Sequence, residues 1–127
     1  MEQYPLPSVV TVKVRALRQR GYPSLVDWLK DPKHLYIGRS VPWVKGAEKP
    51  SIWANPYTLK KHTLADALKL YEAHVRERLT HRLPELGQYT ELGCWCHPRA
   101  CHGDVLLKLY REYCMSSPNK PSVVSTQ

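Results

Sequence analysis

Tyr89-Thr90-Glu91-Leu92-Gly93-Cys94-Trp95-Cys96 and, shortly after it, His102-Gly103-Asp104-Val105-Leu106-Leu107-Lys108-Leu109 form the stretch whose reading decides the fold. The first run reads as a strand, which Gly93 weakens. The second opens a helix that runs to about Cys114 and buries Val105, Leu106, Leu109 and Tyr113. Asp104 in its first turn and Lys108 and Arg111 further along suit the helix dipole. A strand that feeds a helix through a short turn is half of a parallel β-α-β unit. Whatever the turn carries then lies beyond the carboxyl end of a strand, where such sheets collect ligands.

Upstream, residues 8–15 alternate Val9, Val10, Val12 and Val14 with Thr11 and Lys13, the pattern of a strand. Gly21-Tyr22-Pro23-Ser24 is a turn, and Ser24 opens a short helix from Leu25 to Lys30 that Asp31-Pro32 stops. His34 to Arg39 is a second strand. Residues 40–62, with four prolines or glycines and two tryptophans, form a long irregular segment that folds back onto the body. Thr63 to about Arg82 is a helix with Leu64, Leu68, Tyr71, Val75 and Leu79 on its buried stripe, and Thr63 with Asp66 makes its start. Strands alternating with helices predict a small layered α/β domain with a short, mainly parallel sheet. It occupies residues 1–114, followed by a Ser- and Pro-rich disordered tail over 115–127.

The turn between strand and helix holds Cys94, Cys96, His97, Cys101 and His102. Three readings of it compete. Cys94, Cys96, Cys101 and His102 (or His97) supply the sulfur and imidazole donors that zinc prefers, although C-x-C-x4-C-H lacks the two separated pairs of common fingers. Alternatively Cys101, at a helix start that favours a thiolate, is a nucleophile or redox thiol, with His102 as acid/base partner and Asp104 orienting His102 or capping the helix. A bridge from Cys96 to Cys101 across the Pro98 turn belongs to this reading. In the third, the cysteines are small buried hydrophobes, as Cys114 is expected to be.

Gly38 and Arg39 fall at the end of the second strand and so share an edge with this turn. Arg39 is suited to grip a phosphate or carboxylate, or else to pair with Asp104. In Ser51-Ile52-Trp53-Ala54-Asn55-Pro56-Tyr57, Pro56 holds Asn55 extended, and Trp53 or Tyr57 offers a stacking face for a flat ring. The bland alternative has Trp53 plugging the core and Asn55 holding the turn. His74, Arg78, His81 and Arg82 share one side of the long helix, either as a phosphate-tracking stripe or as a solvated face.

The 127 residues carry 19 Lys and Arg against 11 Asp and Glu, a formal charge of +8 that favours polyanionic partners. No basic block exceeds two residues, and no stretch has the apolar length of a signal peptide or membrane span. The expected setting is intracellular, in host cytoplasm or with a virion, without a membrane, and with thiols kept reduced.

The strings HLYIGR, SIWANPYTL, LADALKLYEAHV and LGCWCHPRACHGDVLLKL resemble the family of the domain of unknown function 4326, found in phages, large DNA viruses and cellular genomes. The likeness runs from about Val9 to Tyr113 and implies a Rossmann-like, three-layer α/β domain with a shared pocket. It puts motif residues at Gly38, Arg39, Trp53, Asn55, Pro56, Cys94, Trp95, Cys96, Pro98, Cys101, His102, Gly103 and Asp104. Ala54 departs from the Gly that many members carry there. The expected function is binding or modifying a nucleotide or nucleic-acid-derived anion, held by Gly38, Arg39, Trp53, Asn55 and Pro56, with Cys101, His102 and Asp104 doing the chemistry. The alternative is a non-enzymatic basic component of a ribosome, virion or other nucleoprotein assembly.

Overall fold

The computed structural model describes residues 6–95 and 100–116. Its elements are β1 Ser8–Thr11, α1 Val14–Gln19, α2 Leu25–Trp28, β2 His34–Tyr36, α3 Leu64–Arg78, a 3-10 helix over Thr80–Gln88, β3 Glu91–Cys94 and α4 His102–Ser116. The strands make one parallel sheet in the order β1-β3-β2. The chain is therefore an α/β domain, as the alternation of elements predicts.

The period-two geometry of β3 sorts the molecule into three layers. Leu92 and Cys94 point to one side, into a core shared with Tyr71 and Val75 of α3 and Leu106 and Leu109 of α4. Gly93 points to the other, where Trp28, Leu17, Leu25, Val12 and Tyr36 form a second core beneath α1 and α2. Gly93 is required here: a Cβ would stand 2.5 Å from the Trp28 ring. On that side Glu91 accepts a hydrogen bond from Trp28 Nε1 at 2.9 Å and pairs with Arg20.

Several boundaries move from their expected places. The first strand stops at Thr11 instead of running to residue 15, because the ladder's last bond is Val12 N–H to the Cys94 carbonyl. The chain then turns into α1, which the valine pattern hid. The long helix ends at Arg78, and Thr80 Oγ1 folds back to donate to the Arg76 carbonyl at 2.7 Å. The next turns are 3-10, carrying Pro84. Of the expected α3 stripe, Tyr71 and Val75 are buried, whereas Leu64 is exposed and Ala67 takes a core position. Met115 and Ser116 belong to α4; the rest of the expected tail, 117–127, lies outside the described residues.

The segment 40–62 has no strand or helix, yet it is tied down. Trp53 is 2% exposed, and its carbonyl accepts from Tyr71 Oη at 2.7 Å. Ser51 N–H donates to the Gly38 carbonyl, and Val41 N–H to the Ala47 carbonyl at 2.7 Å. Among the described residues no helix is long and apolar enough to cross a membrane.

Candidate functional site

Because all three strands are parallel, their carboxyl ends meet at one edge of the sheet. Lys13 lies just past β1, Gly38 and Arg39 just past β2, and Trp95 directly after β3. His102 begins α4. With Asn55, Tyr57, Thr58 and Leu59 from the long loop, these residues line a cavity of about 360 Å³. The position is the one from which open parallel sheets generally bind ligands.

A short relay of hydrogen bonds fixes its walls. Trp95 Nε1 donates to Tyr36 Oη at 2.6 Å, and Tyr36 Oη donates to the Arg39 carbonyl at 2.6 Å. Burial pushes the Tyr36 phenol upward, and neither the Trp95 bond nor the Arg39 charge reverses it. The phenol therefore stays protonated and keeps its donor role. The Arg39 guanidinium lies 5.6 Å from the Trp95 ring centre, a cation–π contact that pre-places the charge. Asn55 Oδ1 accepts from Tyr57 N–H at 2.9 Å, which holds the turn and leaves the amide NH₂ as a donor.

His102 is the member of the Cys/His cluster that lines this cavity among the described residues. Its Nε2 sits 2.7 Å from the Ile37 carbonyl, which only accepts, so Nε2 carries the proton. In the neutral ring Nδ1 then holds the lone pair, and it faces Cys101 Sγ at 3.8 Å. Tyr71 packs edge-on against the ring at 5.2 Å.

The two described thiols of the cluster lie behind it. Cys94 and Cys101 are 0% and 1% exposed and belong to the main core, with their sulfurs 2.9 Å apart. Cys101 Sγ also accepts from Gly103 N–H at 3.3 Å. Asp104 is exposed, and its Oδ2 accepts from Cys101 N–H at 3.1 Å, so it caps α4. It forms no ion pair with Arg39 among the described residues. Cys114 is buried core.

The expected single rim of thiols, arginine and tryptophan loop is thus divided. Gly38, Arg39, Asn55 and His102 come together. Trp53 lines a different cavity of about 390 Å³, beside His34, Lys49 and Arg82. Pro56 is exposed outside both. Cys96, His97 and Pro98 lie outside the described residues, and with them the expected Cys96–Cys101 bridge.

Of the four expected zinc donors, three are described. Two thiolates sharing a tetrahedral zinc stand roughly 3.8 Å apart given ordinary Zn–S bonds, wider than the 2.9 Å between Cys94 and Cys101. Among the described residues no group of three or more His, Cys, Asp or Glu side chains is placed to hold an ion.

Tyr57, one of the two expected stacking faces, lines the cavity, and so do Lys13 and Trp95, to which the sequence assigns no ligand contact. Lys13 was hidden inside an overlong strand. Ending that strand at Thr11 is the signal that exposes it, since it then falls at the same edge as Arg39.

The model of a domain of unknown function, DUF4326, matches residues 25–112. The chain belongs to that family. An uncharacterised protein of Acanthamoeba polyphaga mimivirus is 34% identical over 87 residues, covering 61% of this chain and 66% of that one. The match thus spans just under two thirds of the viral protein's length. No solved structure matches. Gly38, Arg39, Asn55, Trp95 and His102 fall within the DUF4326 match, and Lys13 precedes it.

Proposed function

We propose that this DUF4326 chain binds a small nucleotide-like anion in the cavity beyond the carboxyl ends of its strands. One observation carries the reading. Lys13, Arg39, Asn55, Trp95 and His102 come from separate parts of the chain and converge on one concave space. Two cations there suit a phosphate, with Arg39 held over the Trp95 ring, the Asn55 amide offers neutral donors, and Nε2 of His102 is already committed to Ile37.

Binding, not thiol attack, is the activity this geometry favours. A nucleophile has to reach its substrate, and Cys101 is enclosed in the core behind His102. The reading as a basic module for nucleic acid draws on the +8 charge. Against it, part of the basic surface is matched locally: Arg76 pairs with Glu72 and Glu112, Lys108 with Glu72, and Arg82 with Glu85.

Calorimetry with nucleoside mono- and diphosphates tests the proposal. A saturable single site is expected. Arg39→Ala should weaken it by roughly tenfold or more, the scale of hydrogen bonds to a charged group, with the thermal unfolding of the protein unchanged. No binding of any nucleotide, together with duplex binding that falls steeply with salt, would replace this reading with the basic-module one.

A further inference from the structure

Beside the cationic cavity lies a second one of about 380 Å³, and the two share Arg39 and Trp95. Its character is different. Val14, Leu25, Val26, Val41 and Val44 form its walls together with Trp43 and Trp95, with Ser24 and Ser40 supplying the neutral polar groups. Trp43 is 84% exposed, more than any other large hydrophobic among the described residues. A tryptophan left in water forgoes the burial that its size normally brings.

Trp43 is not on a loose segment. Val44 N–H donates to the Val41 carbonyl, Ala47 N–H to the Val44 carbonyl, and Val41 N–H to the Ala47 carbonyl, so a closed turn presents it. Gly46 takes φ +99° within that turn. Val41 and Ala47 anchor it in the core beneath α1 and α2. The protein thus builds a supported aromatic face next to an apolar hollow, and one wall of that hollow is the ring over which Arg39 sits.

We infer that the ligand is a two-part molecule, an anion joined to a flat heteroaromatic ring, and that the ring lies in the groove between Trp43 and Trp95. The inference rests on the proposed function and names where the ring goes. Lys13 and Arg39 take the anion on one side of Trp95, and the ring reaches across to Trp43 on the other. The occupant is a ring attached to that anion and not an unrelated apolar group, because Arg39 and Trp95 belong to both spaces. Stacking is tolerant of ring identity, since every base has a π face. With two serine hydroxyls as the groove's neutral polar groups, purine and pyrimidine ligands should differ by less than about tenfold.

Calorimetry with AMP, UMP, ribose 5-phosphate and inorganic phosphate, on the wild type, Trp43→Ala and Trp43→Tyr, tests it. The wild type should bind AMP and UMP about tenfold or more tighter than ribose 5-phosphate, the scale of one stacked base. Trp43→Ala should remove that advantage and leave ribose 5-phosphate binding unchanged, and Trp43→Tyr should restore most of it. Equal AMP affinity in wild type and Trp43→Ala overturns the ring placement while the anion pocket stands. So does an equal loss for ribose 5-phosphate. If the wild type binds none of the four, the proposed function itself has failed.

Discussion

Among the described residues Glu91 is the one carboxylate on a strand of the sheet, and the surrounding charges decide its state. Burial works to raise it, but the hydrogen bonds from Arg20 and Trp28 and the charges of Arg20 and His34 outweigh that, so it sits below the usual range. A depressed carboxylate stabilises the fold above its unfolded value near 4.3 and loses that contribution as pH falls through the folded value. Glu91→Ala should cost roughly 1–3 kcal/mol at neutral pH, since Trp28 Nε1 loses its acceptor. Urea unfolding should also show a flatter acid limb in the variant; an unchanged limb would refute the assignment. Gly93 makes a purely steric case on the same strand. Gly93→Ala drives a methyl into the Trp28 ring and should cost about 1–3 kcal/mol, read by the same denaturation. Gly93 looked like a weakness in a strand because a sequence shows the missing side chain and not the tryptophan that fills its place.

The start of α4 shows at the scale of an element how one motif divides between structure and site. His102 points to the cavity, Cys101 back to the core, and Asp104 outward over the first turn. Gly103 allows that helix to approach β1, because a Cβ would lie 2.9 Å from Val9 Cγ1. If Asp104 is a cap and nothing more, Asp104→Ala lowers stability by about 1 kcal/mol and leaves nucleotide affinity within about twofold of the wild type. A large loss of affinity at unchanged stability would instead put Asp104 in the site. The start of α3 obeys the same chemistry away from the pocket. Thr63 Oγ1 accepts from Asp66 N–H at 3.1 Å, as the Thr-x-x-Asp spacing leads one to expect. Caps are legible because they are contacts between near neighbours. Where helices end is less so: Arg78 is the last residue of α3 because Thr80 bonds backward, which competes closely with one more helical turn.

At the scale of the molecule, two cores lie on opposite faces of a three-stranded sheet, and the long loop supplies Val41 and Ala47 to one and closes the other. Trp53 carries that closure. Trp53→Ala should cost about 3–5 kcal/mol, the range for large aromatic truncations in a core, and should open residues 40–62 to limited proteolysis. Retained protease resistance would show that the loop is held elsewhere. The alternation of strands and helices, the parallel sheet, the family and the passage from β3 into α4 were legible in the residues alone. Each follows from local periodicity or from a contiguous motif, and neighbours in the chain are all that such signals require. That His102 lines the cavity while Cys94 and Cys101 lie in the core, and that Lys13, Arg39, Asn55 and Trp95 share that cavity, came from the tertiary structure. Those facts depend on the direction in which each strand end leaves the sheet and on which face each ring packs against. Long-range packing sets both, and no window along the chain contains it.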